Sequence, residues 1–280
     1  MAIDVDDADA PADVRGMFRA IVGGFSGKLS GLLEIIGGMS AMALEAFRAT
    51  WDVKHWWREW IEQSWFLTKV TSLPVLLVAI PLGATISLQV GQLVAQLGAQ
   101  SFTGTAVVVG LVREAAPLAA ALLISGAGGS AMAADMGARR VRDELSAMEV
   151  MAVNPVHRLV TPRLWAASTV GVLLVSLVVL SGVAGGFFFN VIIQGVTPGA
   201  YFNGATSLLH TSDLLVSVFK AWVFGFIAAI VSCYDGMNCE LGPVGVGKAV
   251  NKAVVQTFIV VFMANYVITT LYFVLVPPKI

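Results

Sequence analysis

Three charged side chains stand inside apolar stretches of the sequence, where they could bind a polar ligand or form ion pairs. Arg113 and Glu114 follow residues 70–112, a run without Asp, Glu, Lys or Arg. If their helix starts near Thr105, they lie about 12 Å inside it, at about 1.5 Å per residue. Lys220 lies about one to two turns inside a later apolar run. Charges at such depths in a membrane are costly unless they are paired or hydrated.

Each of these charges has two interpretations from the sequence alone. Arg113 and Glu114 form either part of a functional site or a structural pair with a neighbouring helix. Lys220 either extends its ammonium group to the membrane surface or contacts an anionic lipid headgroup. Gln89, in the preceding apolar run, either lines a path for a substrate or serves in capping and packing. These four side chains are the candidate residues of a substrate path.

Another group of residues has the spacing of a nucleotide-binding loop but lacks its chemistry. Gly242, Gly247 and Lys248, in the segment GPVGVGKA, match the P-loop spacing. Ala249 stands where Ser or Thr must hold magnesium, and an apolar span precedes the segment instead of a strand. Ser130, in GGSA, has no evident histidine or lysine base at its depth. We therefore predict no nucleotide site and no catalytic residue.

The cysteines and histidines lack metal-ligand spacing. Cys233 and Cys239 are six residues apart and distant from any metal-like cluster. The three histidines are scattered, and no HExxH motif occurs. The sequence therefore predicts no metal site and no cofactor bound by this chain.

A charged segment, residues 135–155, interrupts the apolar sequence near its middle. Apolar residues recur in it at three- and four-residue steps, which predicts an amphipathic helix that continues without a break from the span before it. Asn154-Pro155 ends this helix, because proline disfavours helical geometry in the residue before it. Such a helix either rests on lipid headgroups or docks against a partner protein. The candidate docking residues are Arg139, Arg140, Arg142, Asp143, Glu144, Leu145, Met148 and Glu149.

Composition and charge-free runs predict an all-α integral membrane protein. Hydrophobic residues make up 57% of the chain and charged residues 12%, and the mean hydropathy is +0.82; soluble domains have about 25% charged residues. About 20 apolar residues cross a bilayer, so the sequence predicts about five spans. Pro74 and Pro81 are expected to bend or locally break the first of them.

The region before the first span is predicted to lie at the membrane surface. Residues 1–13 contain five aspartates and no basic residue, which is typical of a disordered cytoplasmic tail and not of a signal peptide. Residues 14–64 have the amphipathic patterns of an interfacial helix and an elbow helix. Five tryptophans between 51 and 65 suit the water–lipid boundary. Two basic residues against three acidic ones there argue against nucleic-acid binding.

The distribution of basic residues predicts the orientation of the spans. Fourteen Lys and Arg residues lie before the first span, in the central loop and in the loop 235–252, whereas the loops near 96–105 and 194–212 have none. Cytoplasmic loops carry an excess of Lys and Arg. The N-terminus and the charged segment are therefore predicted in the cytoplasm, and the C-terminus outside.

The sequence from Arg113 to Pro155 resembles the MlaE/YrbE family, the permease subunits of lipid-moving ABC transporters associated with MCE proteins. The motif reads REAAPLAAALLISGAGGSAMAADMGARRVRDELSAMEVMAVNP, and the resemblance extends over roughly residues 35–276. It implies that residues 65–280 form a permease domain. It further implies that residues 135–155 are the coupling helix, which inserts into a partner ATPase.

The same resemblance implies an assembly in the plasma membrane. It would contain two permeases, identical or paralogous, a cytoplasmic ATPase dimer that binds ATP and magnesium, and MCE substrate-binding proteins on the outer side. The substrate would be a membrane lipid, and the sequence predicts neither which lipid it is nor the direction of its movement.

Two functions of other classes remain open at this point. A secondary transporter or channel driven by an ion gradient would be expected to have acids at the membrane midplane and an internal inverted repeat. Glu114 is the one acid well inside a predicted span, and five spans do not divide into two halves. A membrane scaffold without transport activity is the third interpretation.

Overall fold

The structure, a computed structural model, describes residues 31, 33–51, 53–98, 103–207 and 209–275. The regular elements in these ranges are all helices, and five of the helices are long and apolar enough to cross a membrane. This confirms the predicted all-α membrane fold. The predicted tail, residues 1–13, lies outside the described residues. In chain order the helices are α1 (33–49), α2 (Val53–Gln96), α3 (Thr103–Val141), α4 (Glu144–Val150), α5 (Val156–Ile193), α6 (Pro198–Ser207), α7 (Thr211–Met237) and α8 (Pro243–Leu275).

Helix α2 joins the last part of the expected elbow helix, from Val53, and the first span into one element, and α1 forms the part before it. It has 44 residues, which corresponds to about 66 Å at about 1.5 Å per residue. The helix continues through Pro74 and Pro81, so the local break expected there does not occur. Each proline removes only one backbone hydrogen bond, and packing against a neighbouring helix along its length keeps α2 helical.

That neighbour is α5, which runs parallel to α2. Trp56 stacks on Trp165 near one end of the pair, with ring centroids 6.4 Å apart. In the middle, the backbones touch at glycines: a Cβ atom on Gly83 would overlap the carbonyl oxygen of Gly182. Small residues permit this close approach in a membrane, where it replaces the hydrophobic driving force between helices.

Helix α3 is the central span, and it packs against α2, α5, α7 and α8. It contains two π-helical turns, Leu111–Ala115 and Ile124–Gly129, between α-helical segments. The main hydrophobic core lies around it and includes Ile124 and Met136. Such π-turns are rare, and they occur frequently at functional sites.

The charged segment does not form the single helix predicted from its periodicity. Helix α3 ends at Val141, Asp143 adopts a left-handed backbone conformation with φ of 58°, and the separate helix α4 begins at Glu144. Aspartate reaches this conformation more readily than most residues, so the chain can turn here without glycine. The prediction of a continuous helix from the span through residue 155 is therefore wrong.

Helix α8 lies at the edge of the bundle and contacts α3 and α7. Its buried residues occur at every fourth position, and most of its remaining apolar surface faces outward. A row at four-residue spacing forms a ridge that fits the groove of a neighbouring helix. The row consists of Gly245, Ala249, Ala253, Thr257, Val261 and Asn265.

Candidate functional site

The π-turn Leu111–Ala115 carries the two charges in the first half of α3, Arg113 and Glu114. Their partners lie on α7 and α8, so the turn contributes to a polar cluster among three spans. The cluster consists of Arg113, Glu114, Asp213, Lys220, Asn265, Thr269 and Tyr272. We call these residues the polar cluster.

The first half of the polar cluster is centred on Asp213, which is buried at the start of α7. Arg113 donates to both carboxylate oxygens of Asp213, from Nε at 2.8 Å and from Nη2 at 3.1 Å. The Tyr272 hydroxyl donates to Oδ1 at 2.7 Å, and the backbone N–H of His210 donates to Oδ2 at 3.1 Å. A bidentate pair of this kind fixes the orientation of both side chains.

The second half is centred on Lys220, which is 1% exposed. Its Nζ donates to Glu114 Oε1 at 2.9 Å, to the backbone oxygen of Arg113 at 3.0 Å and to Thr269 Oγ1 at 2.7 Å. Asn265 and Thr269 donate to the two Glu114 oxygens, each at 2.9 Å. All three protons of the ammonium group therefore have an acceptor.

The polar cluster is electrically balanced, with two cations and two anions in matched pairs. Pairing offsets much of the cost of placing charges inside a span. The side chains of Arg113 and Glu114 are 27% and 40% exposed, whereas those of Asp213 and Lys220 are buried. The cavity beside them is only about 10 Å³, room for a single water molecule. In this conformation a lipid headgroup does not fit between the helices.

The structure brings three of the four candidate path residues together and leaves the fourth apart. Gln89 has an exposed side chain on α2, and none of the contacts described joins it to the polar cluster. Lys220 pairs with Glu114, a partner that sequence reasoning missed, along with Asp213 and the α8 residues. A weak signal existed, since Asn265, Thr269 and Tyr272 recur at helical spacing.

The candidate docking residues divide into an exposed group and a buried group. Arg140, Arg142, Asp143 and Glu149 are exposed. Leu145 is buried in the hydrophobic core, and Met148 packs against it. The apolar side of α4 therefore anchors the helix to its own chain.

Exposed apolar residues occur instead at the end of α4, at its last residue and the one that follows, where sequence reasoning did not place them. Val150 is 88% exposed and Met151 is 66% exposed. They follow the charged residues of α4 and precede the start of α5. The end of α4 thus presents an apolar tip, Val150 and Met151, with a charged rim.

The segment with P-loop spacing is helical in the structure. Pro243 begins α8, so residues 243–249 form its first turns instead of a phosphate-binding loop. Lys248 forms an exposed ion pair with Glu240 at 3.0 Å.

Comparison with known proteins agrees with this architecture. A family model described as Permease MlaE matches residues 60–271. The chain is 35% identical over 191 residues to a probable ABC transporter permease protein of Rickettsia felis, covering 68% of this chain and 74% of the relative. It is 31% identical over 191 residues to a probable ABC transporter permease protein of Synechocystis, covering 68% and 73%.

A third relative carries a more specific name. The chain is 28% identical over 214 residues to the intermembrane phospholipid transport system permease protein MlaE of Haemophilus influenzae, covering 76% of this chain and 82% of the relative. The region matched by the family model includes nearly all of the five spans, together with the polar cluster except for Tyr272 and all of α4. This multi-pass membrane protein is a member of the MlaE permease family.

Proposed function

We propose that this chain is the membrane subunit of an ATP-driven lipid transporter and that a separate ATPase subunit binds ATP and magnesium. The family supports this, since its relatives are named as ABC transporter permeases and one as a phospholipid transport permease. The observation that carries the proposal is the exposed apolar tip after α4. Apolar side chains exposed beside a charged rim are typical of protein-binding surfaces.

The proposed docking surface requires that the protein lies in the plasma membrane with α4 on the cytoplasmic side. The distribution of Lys and Arg supports this orientation, with the N-terminus inside and the C-terminus outside. Helix α4 connects two spans, so a force on it acts on both α3 and α5. The ATPase dimer would close on binding ATP, press on α4 and tilt these two spans.

The polar cluster would respond to this tilting near the opposite end of α3. It ties α3 to α7 and α8, so a lipid can pass between these helices only if some of its hydrogen bonds separate. The side chains of Arg113 and Glu114 are partly exposed, so a lipid or a second permease could reach them from outside the bundle. The guanidinium group of Arg113 would suit a lipid phosphate or carboxylate once it is released from Asp213.

The outer ends of the spans carry a second surface suited to a partner. Exposed apolar side chains occur there at the ends of α2 and α5, directly after α2, and on α6, namely Leu93, Leu97, Ile192, Ile193 and Phe202. An MCE protein on the outer side would receive or deliver the lipid at this end. A second permease, identical or paralogous, would complete the transport path.

Reconstitution tests the proposed function. The chain would be produced with candidate ATPase subunits from the same genome, purified and placed in proteoliposomes with a fluorescent phospholipid. We expect an ATPase to copurify and lipid transfer to require ATP and magnesium. Transfer at the same rate without ATP, or dependence on an ion gradient alone, would contradict the proposal. Mass spectrometry of lipids retained by the purified complex would identify the substrate.

A further inference from the structure

The break at Asp143 raises the question of how motion of α4 reaches the spans. A helix continuous with α3 would act as a rigid lever, but the helix is interrupted between Val141 and Glu144, where Asp143 has a left-handed backbone conformation. Leu145 holds α4 against the core by apolar contact. Further contacts with fixed geometry are needed if a movement of α4 is to reach the spans in a defined direction.

A series of ion pairs supplies such contacts. Arg142 donates to Glu144 Oε1 at 2.8 Å, and Arg139 donates to Glu144 Oε2 at 3.4 Å. Arg139 also donates to Asp135 Oδ2 at 3.2 Å, and Arg163 donates to that same oxygen at 2.6 Å. This ion-pair relay, from Arg142 through Glu144, Arg139 and Asp135 to Arg163, connects α4 to α3 and α5.

The relay is exposed at the end near α4 and buried at the end on α5. The Arg142 side chain is 60% exposed, and that of Arg163 is 1% exposed. Arg163 also donates from Nη1 to the backbone oxygen of Leu159 at 2.8 Å, which fixes it to the first turns of α5. The buried guanidinium group therefore links Asp135 on α3 directly to α5.

We infer that Asp135 and Arg139 are positioning residues that transmit movement of α4 to α5 during transport. This inference rests on the proposed function, because it assigns a route to the ATPase-driven movement proposed there. The relay bridges the break at Asp143 and includes both spans that flank α4. Neither residue needs to contact the ATPase.

The test measures lipid molecules transferred per ATP hydrolysed. Arg139→Gln cuts the relay between Asp135 and Glu144 while leaving intact the ion pair between Asp135 and the buried Arg163. Asp135→Asn cuts it at the pair itself. We expect Asp135→Asn to retain the ATPase and its hydrolysis rate. Arg139 is also a candidate docking residue, so transfer by Arg139→Gln is measured per ATP hydrolysed by the ATPase that remains bound. Transfer per ATP should fall about fivefold or more in both variants, the lower end of typical coupling between sites. A merely structural role would lower complex yield and hydrolysis together with transfer.

Glu240→Gln is the matched control, because it removes an exposed ion pair at the same end of the bundle, between Glu240 and Lys248. Its transfer per ATP should equal that of the wild type. If Arg139→Gln transferred as many lipid molecules per ATP as the wild type, the inference would be overturned. A loss of transfer caused only by loss of bound ATPase would overturn it as well. If the wild-type chain binds no ATPase, the proposed function itself is contradicted.

Discussion

The Lys220 ammonium group donates to three acceptors, and this explains how a span carries a buried cation without reaching the membrane surface. Its partner Glu114 remains partly exposed. The two residues therefore differ in what their loss would do. If Glu114 were replaced, the unpaired Lys220 would remain buried. If Lys220 were replaced, the unpaired Glu114 would keep its hydrogen bonds from Asn265 and Thr269 and would remain partly exposed.

Substitution of this pair should give a non-additive result. We expect Glu114→Gln to destabilise the protein by up to about 3 kcal/mol, because it leaves a buried charge without its counter-ion. Lys220→Met should cost less, and the double variant should unfold at a higher temperature than Glu114→Gln alone. Thermal unfolding in detergent measures this. A double variant less stable than both single variants would show that the pair is not coupled as described.

Tyr201 provides a prediction about pH at the residue scale. Burial raises the pKa of its hydroxyl from the usual 10.0 to about 12. A raised pKa in the folded state means that the neutral form stabilises folding, fully below pH 10 and progressively less as pH rises toward 12. Ultraviolet titration should show a late-ionising tyrosine that is absent in Tyr201→Phe. A titration curve whose late part is unchanged by Tyr201→Phe would contradict the described burial.

At the scale of elements, the contact between α2 and α5 depends on glycine. Gly83→Ala should lower the unfolding temperature clearly, because the added methyl group overlaps the backbone of α5 at Gly182. Gly110→Ala is the matched control, since the same methyl group on α3 would meet nothing within 4 Å. That control should be neutral or stabilising by up to about 1 kcal/mol, from helix propensity. Equal effects of the two substitutions would refute the close contact.

The elements show which parts of the structure the sequence could predict. Spans are long runs without charge, so their number and type follow from local composition. The break at Asp143 was not predictable from periodicity, because Leu145 and Met148 keep the spacing of the residues before it. The uninterrupted helix through Pro74 was not predicted, because packing of α2 on α5 outweighs the tendency of proline to break a helix.

The polar cluster marks the limit of sequence reasoning about the site. The unusual depth of Arg113, Glu114 and Lys220 identified them as candidates, because charge inside a span is costly. Their partners could not be assigned, since Lys220 and Glu114 are separated by 106 positions and meet only through the packing of α3 against α7. Asp213 lies in the first turn of α7, and an acid at the boundary of an apolar run does not stand out in the sequence.

At the scale of the whole molecule, the proposed orientation predicts that the end of α4 and the loop before α6 lie on opposite sides of the membrane. Single cysteines at Met151 and Thr197, both exposed, test this after replacement of Cys233 and Cys239. An impermeant maleimide should label Thr197→Cys in intact cells and Met151→Cys only after permeabilisation. The reverse pattern would place the docking surface outside and contradict the proposed function.

The central claim is that an ATPase docks on the exposed tip formed by Val150 and Met151, and copurification tests it most directly. The double variant Val150→Asp/Met151→Asp replaces both apolar side chains with charges at exposed positions, so the fold should be retained. We expect the wild-type chain and Lys248→Glu, a charge change at the same end of the bundle, to retain the ATPase through purification. The double variant should lose it by at least about tenfold, as expected for central apolar contacts of an interface. Undiminished binding of the ATPase by a folded double variant would contradict the account.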